Sequence, residues 1–165
     1  MILPDLLQYG LHFVFCGTAA GNKSAERNAY YAGAGNLFYP TLAGCGFTPK
    51  LLKPFEYHEL LKYNIGLTDL AKFHFGMDKD LKAEHYDTKS FEDKILKYQP
   101  RVLCFNGKKA AKVYFGFRKT SEVNYGIQER MIGTTRLYVA PSTSLQAISY
   151  WNDTIWSNLN ELINE

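Results

Sequence analysis

The stretch 13–40, FVFCGTAAGNKSAERNAYYAGAGNLFYP, concentrates residue types suited to holding a ligand. It begins with the apolar run Phe13-Val14-Phe15-Cys16, cut off at Gly17, which reads as a buried strand. The small, polar run GTAAGNKS follows, where short side chains let backbone come close to a bound molecule. The segment NAYYAGAGNLFYP then has too many glycines for a helix and too many aromatics for a linker. Two adjacent tyrosines, Tyr30 and Tyr31, at a strand's carboxyl end make a ligand platform in an open α/β sheet.

Composition narrows the ligand. With 165 residues the chain makes one domain, 1–165, and its 46% hydrophobic and 21% charged content is that of an ordered globular protein. Twelve Tyr and eleven Phe suit core packing, and equally stacking on bases or sugars. A net charge of +3 permits a nucleic-acid partner without requiring one. Cys16, Cys45 and Cys104 are scattered, with no CxxC pair, so no metal site or cofactor is expected and a reducing, cytoplasmic compartment is. Neither GxGxxG nor GxxxxGK[ST] occurs. The first residues carry no basic leader and no apolar run nears the ~20 residues of a membrane span, so a soluble, intracellular protein is expected, and separately a monomer.

Residues 1–10 suggest a helical turn after Pro4 that closes at Gly10, and residues 11–16 the first strand. Residues 22–35 read as loop. FYPTLAGCGF suggests a helix from near Pro40 to the Gly44–Gly46 region, and Leu51 to Tyr63 has a helical rhythm with Pro54 in its first turn. Ile65 to Leu70 reads as strand or extended loop. An amphipathic helix follows, capped by Ser90 and ended by Pro100. Arg101 to Phe105 is a second buried strand, 109–115 a helix closed by Gly116, 131–141 a third strand, and 145–163 the last helix. Strands separated by helices indicate a three-layer α/β/α sandwich with a mostly parallel sheet.

Blocks along the chain resemble the mismatch-specific uracil/thymine DNA glycosylases of the uracil-DNA glycosylase superfamily. They are FVFCGTAAGNKSA, YAGAGNLFYPTLAGCGFTPKLL, GLTDL, PRVLCFNGKKA and IGTTRLYVAPSTS, in family order over about residues 8–155. The resemblance implies a four-stranded parallel sheet with the active site at the strands' carboxyl ends. It implies hydrolysis of the N-glycosidic bond of uracil or another damaged pyrimidine in DNA, without metal or lyase step. The DNA would be a uracil-containing or mismatched duplex, with a single strand also open. Such a base must be flipped out of the helix to be reached.

The resemblance assigns roles to residues. Tyr31 would stack on the flipped base, with plain packing as its alternative role, and Gly17, Thr18, Ala19, Gly21 and Asn36 would line its pocket, a turn residue being the equal alternative for Asn36. The family pattern here is usually G-I-N-P-G, with an asparagine that positions water; Ala19 stands in its place. The chemistry therefore passes to Asp69 in GLTDL, whose carboxylate could orient water as a base and stabilise an oxocarbenium-like sugar. A cap after Thr68 is the alternative role for Asp69. Glu26 and His74 are weaker candidates, and Asp78, Asp80, Glu84 and Asp87 read as a solvated face. Pro141-Ser142-Thr143-Ser144-Leu145-Gln146 matches the second family block, usually P-N-P-S-G. Ser142, Thr143 and Ser144 would bind phosphate, and Leu145 or Gln146 would fill the gap left by the base. Ser24, Lys108 and Lys109 would contact DNA, with Lys23, Arg27 and Lys72 ringing the same face.

Overall fold

The computed structural model of the chain describes residues 1–77 and 81–164. The expectation for Asp78 and Asp80 lies outside them. The interior strand β1 (Phe13–Ala20) turns Phe13 and Phe15 to one face of the sheet and Val14 and Cys16 to the other, all of them buried. Apolar on both faces, it needs a covering layer on each side. Phe15 packs with Phe38 of α2 (Phe38–Gly44) and Trp156 of α5 (Asp153–Glu161), at ring-centroid distances of 5.3 and 5.5 Å. On the other face, Val14 and Cys16 meet Phe91 and Ile95 of α3 (Thr88–Tyr98) and Ala110 and Ala111 of α4 (Lys108–Phe115). The three-layer arrangement thus follows from the alternation in β1.

The sheet has five strands in the order β2-β1-β3-β5-β4, with β2 at Ile65–Phe75, β3 at Val102–Asn106, β4 at Gly126–Ile132 and β5 at Thr135–Ala140. The first four run parallel; β4 is antiparallel to β5. The expected four-stranded sheet is therefore corrected to five. Residues 131–141 do not form one strand: the chain reverses at Gly133, in the left-handed region at φ 58°. Strand β4 was hidden in the sequence because it is a largely exposed edge strand with a pairing irregularity between Ile127 and Met131.

Other boundaries moved for local reasons. The strand β1 runs on through Gly17 to Ala20, and residues 22–27, taken as loop, form the short helix α1 (Asn22–Arg27). Asp87, not Ser90, caps α3, accepting the Ser90 N–H at 2.9 Å. The last helix divides into a 3-10 segment, Leu145–Tyr150, and α5, which starts afresh at the Asn152 cap. Pro54–Tyr63 is helical as expected, in 3-10 form.

The N-terminal residues are not a helical turn. They lie along the outer edge of β2, where Leu6 and Leu67 exchange N–H···O bonds of 2.9 Å and Ile2 N–H donates to Lys72 at 2.7 Å. Gly66 allows this approach, because a Cβ there would stand 2.5 Å from the Leu6 carbonyl. The strap brings in Asp5, whose carboxylate meets Lys72 at 2.8 Å, Lys94 at 2.6 Å and the Thr68 hydroxyl at 2.6 Å. Burial works to raise the Asp5 carboxyl, but the Lys72 charge and hydrogen bonds from Lys72, Lys94 and Thr68 outweigh it and hold it below its usual range. A carboxylate so held stabilises the fold at neutral pH and loses that contribution as pH falls through its lowered value.

Asp5→Ala leaves two largely buried ammonium groups without their carboxylate. It is expected to cost about 2–4 kcal/mol in urea unfolding at pH 7, with most of that difference gone in strong acid. Wild-type stability in the variant at pH 7 would show that the strap is peripheral.

Candidate functional site

The order β2-β1-β3 places a topological switch point at β1, since the chain leaves β1 for β2 on one side and returns to β3 on the other. Ligands of open α/β sheets bind outside the strands' carboxyl ends at such a point. Three residues stand there side by side: Gly17 in β1, Asp69 in β2 and Asn106 ending β3.

Asp69 does not cap anything. It lies within β2, in register with Gly17, and is only 4% exposed. The Gly17 N–H donates to its carboxylate. A Cβ on Gly17 would stand 2.9 Å from Asp69 Oδ1, closer than real side chains allow. Glycine is required here for space, not for an unusual backbone angle. Burial, opposed mainly by the Lys72 charge and reinforced by Asp5, pushes the Asp69 carboxyl up to about 6. Such a group is largely ionised at pH 7.5 and close enough to neutrality to accept a proton, the property wanted of a general base.

The second element is Tyr31. Its backbone is left-handed at φ 55°, a conformation that costs a bulky residue ~1–2 kcal/mol. Its ring stacks on Phe38 at 4.0 Å and 29°. The ring is half-buried, and its hydroxyl is fully buried, 3.7 Å from where a Gly17 Cβ would be. Burial first, and the Asp69 charge second, raise the phenol well above its ordinary value, so it stays protonated. The Asn106 amide is within reach, but its two polar atoms are turned to Thr143 and no well-aligned bond to the tyrosine forms. A buried hydroxyl without a partner costs ~1–3 kcal/mol. Both costs fall on one side chain.

The loop carrying Tyr31 is pinned from beneath. Ser24 Oγ accepts the Ala32 N–H at 3.0 Å, and Arg27 donates to the Ala32 carbonyl at 3.2 Å. Ser24 is buried, so its expected contact with DNA is corrected to a structural one. Asn36 Oδ1 accepts the Phe38 N–H at 3.0 Å, which opens α2 in the manner of a turn asparagine. Thr18 and Ala19 are half-buried in β1 beside Gly17, and Gly21 is exposed at the start of α1, where a Cβ would meet nothing within 4 Å.

The block from Pro141 docks against the same edge. Asn106 Nδ2 donates to Thr143 Oγ1 and Asn106 Oδ1 accepts the Thr143 N–H, both at 3.0 Å. Thr143 is buried, so its side chain belongs to this clasp and not to a phosphate site, a second correction. Ser142 Oγ accepts the Ser144 N–H at 3.1 Å, and Ser144 bonds Gln146 through both its hydroxyl and the Gln146 N–H. Leu145 is 53% exposed and lies over Gly35, where a Cβ would stand 3.3 Å from its Cδ2. Gln146 is exposed beside it. Asn106 was missed in the sequence, where Asn106-Gly107 reads only as a turn; an amide at the very end of a buried strand was the available signal.

The expected basic ring is partly dismantled. Lys72, 9% exposed at its side chain, is bound to Asp5 and to the Tyr30 hydroxyl at 3.0 Å. Lys23 pairs with Glu26 on the surface, at 3.3 Å. Lys108 Nζ sits 4.5 Å over the Tyr125 ring, half-buried beside the Pro141 block. His74 stacks on His85 at 3.8 Å, away from Asp69. Two clefts, one by Met1, Asn22 and Phe75 and one by Gln99, Arg101 and Thr134, share no residue with the Asp69 cluster. Among the described residues no group of three or more His, Cys, Asp or Glu could hold a metal ion, and no helix is long and apolar enough to cross a membrane.

Two outcomes test this geometry. A folded Asp69 carboxyl near 6 binds its proton more tightly than the unfolded chain does, so that stabilisation is present in acid and lost as pH rises through about 6. Asp69→Asn is therefore expected to exceed wild type by ~1–3 kcal/mol in urea at pH 7.5 and to match it near pH 4. Gly17→Ala should cost ~1–3 kcal/mol by forcing the carboxylate aside; an unshifted melt would mean that the contact is loose.

A family model described as "Uracil DNA glycosylase superfamily" matches residues 4–163. Among solved structures, one similar chain is a solution NMR structure described as a "putative Uracil DNA glycosylase from Methanosarcina acetivorans". It is 19% identical, with 96% of each chain covered and a TM-score of 0.59. At that identity the likeness supports the α/β fold alone, while the family match spans nearly the whole chain, Gly17, Tyr31, Asp69 and Asn106 included. The chain belongs to the uracil DNA glycosylase superfamily.

Proposed function

We propose that this protein is a monofunctional DNA glycosylase that hydrolyses the N-glycosidic bond of a flipped-out uracil, leaving an abasic site for base excision repair. The observation that carries the proposal is Asp69: an acid buried at the sheet's switch point, raised to about 6, in a chain of this superfamily. The base would lie over the Gly17–Gly21 edge, with the Tyr31 ring, braced by Phe38, as its aromatic wall. Asp69 would orient the water and offset positive charge on the sugar. Exposed Leu145 on its loop would take the place of the extruded base, and Lys108 would sit near a backbone phosphate. Ser142 stands where the family asparagine reads the orphaned guanine, so uracil opposite bases other than guanine, or in a single strand, is an accepted substrate in this reading. The protein would act as a monomer, with the DNA, in the cytoplasm.

One observation favours a second reading. Ala19 supplies only a methyl group where the family has its water-holding amide, which suits a damage-binding protein that has kept the pocket and lost the chemistry.

Single-turnover cleavage of U·G, T·G, U·A and single-stranded uracil DNA separates the two. Wild type is expected to yield alkali-labile abasic sites, with a rate that rises with pH through about 6 and then levels as Asp69 ionises. Asp69→Asn should lose ~100-fold to ~10,000-fold in rate and keep its DNA affinity. Specific binding without abasic product in the wild type would select the binder. Full activity in Asp69→Asn would remove Asp69 from the chemistry and leave the glycosylase reading in place.

A further inference from the structure

We infer that the Tyr31 hydroxyl, and not only its ring, belongs to the catalytic centre, where it holds the attacking water jointly with Asp69. The inference rests on the glycosylase reading above. Three observations meet at this side chain. Its backbone is held left-handed at φ 55°, which fixes the direction of the ring. Its hydroxyl is buried and lacks a well-aligned partner, although Asn106 is close by. The place left open by Gly17 is bordered by both groups: the position of the missing Cβ is 2.9 Å from Asp69 Oδ1 and 3.7 Å from Tyr31 Oη.

Asp69 Oδ1 and Tyr31 Oη thus border the same space beside Gly17, and the proposed water would link them with two hydrogen bonds. Packing alone does not explain the hydroxyl. A phenylalanine at 31 would keep the stack on Phe38 without burying an unpaired oxygen, and strained, unsatisfied groups of this kind gather at functional sites. Tyr31 supplies what Ala19 lacks, a polar atom bordering the space beside Gly17.

The step balances without any other reactant. The water gives one hydrogen to the Asp69 carboxylate and the other to Tyr31 Oη, which frees an oxygen lone pair for C1′. As the C1′–N bond breaks, its electron pair leaves on the uracil anion, the water oxygen bonds C1′, and Asp69 takes the proton. Uracil takes up a proton from solvent after release. Tyr31 stays protonated throughout, as its burial beside Asp69 favours.

The test is Tyr31→Phe, which keeps the ring, read in two ways. A high-resolution crystal structure of the wild type should show an ordered water within hydrogen-bond distance of both Asp69 and Tyr31 Oη, and the variant should lack it. In single turnover on uracil DNA the variant should be ~10-fold to ~100-fold slower with unchanged DNA affinity, since an oriented water acts on the rate and not on binding. No bridging water in the wild type, or a variant as fast as an active wild type, overturns the inference. A bridging water in a wild type that cleaves no substrate would instead overturn the glycosylase reading and leave the water site standing.

Discussion

The contact between Gly17 and Asp69 is the constraint on which the site depends. Parallel pairing of β1 with β2 sets Gly17 opposite Asp69, and only a residue without a Cβ leaves the carboxylate its place. The carboxyl lies buried beside Gly17, and that burial is why its pKa rises. Register, burial and reactivity are thus one fact about two neighbouring strands. Slipping the register by one residue would turn Asp69 to the opposite face and end the site.

Around this contact the protein sets two acids against each other. Asp5 is held ionised by Lys72, Lys94 and Thr68, whereas burial raises Asp69, on the strand beside that strap, to about 6. Lys72 serves both, as the direct partner of Asp5 and as the largest influence opposing the rise of Asp69. Without that cation Asp69 would be harder to ionise. The stability contributed by the N-terminal strap therefore also sets the state of an acid that itself destabilises the folded chain at neutral pH.

The loops over the site are fastened by side chains at sheet ends and helix starts. Ser24 ties down the Tyr31 loop from α1, and Asn106 ties down the Pro141 block from β3 with two bonds to Thr143. These clasps use polar residues whose types alone suggest contact with DNA. Inside the fold, the same hydroxyls and amides satisfy loop backbone that would otherwise be buried unpaired.

Much was legible in the chain itself. The apolar runs at 13–16 and 101–105, the Pro and Gly punctuation and the helical periodicities gave the three layers and the approximate place of most elements, because those signals are local, whereas many of their ends moved. The family resemblance of GLTDL, with the chemistry a carboxylate offers, marked Asp69. Strand β4 and helix α1 escaped because an exposed edge strand and a six-residue polar helix leave no hydrophobic period to read. Lys72, Ser24 and Thr143 were assigned outward because nothing local distinguishes a solvated lysine or hydroxyl from one paired across the chain. Sequence by itself determined the layers, the strand core and the candidate acid, all set by residue type and spacing. Tertiary structure alone decided that Asp69 faces Gly17, that Tyr31 turns its hydroxyl inward and that Asp5 governs Lys72, since each depends on distances between residues far apart in the chain.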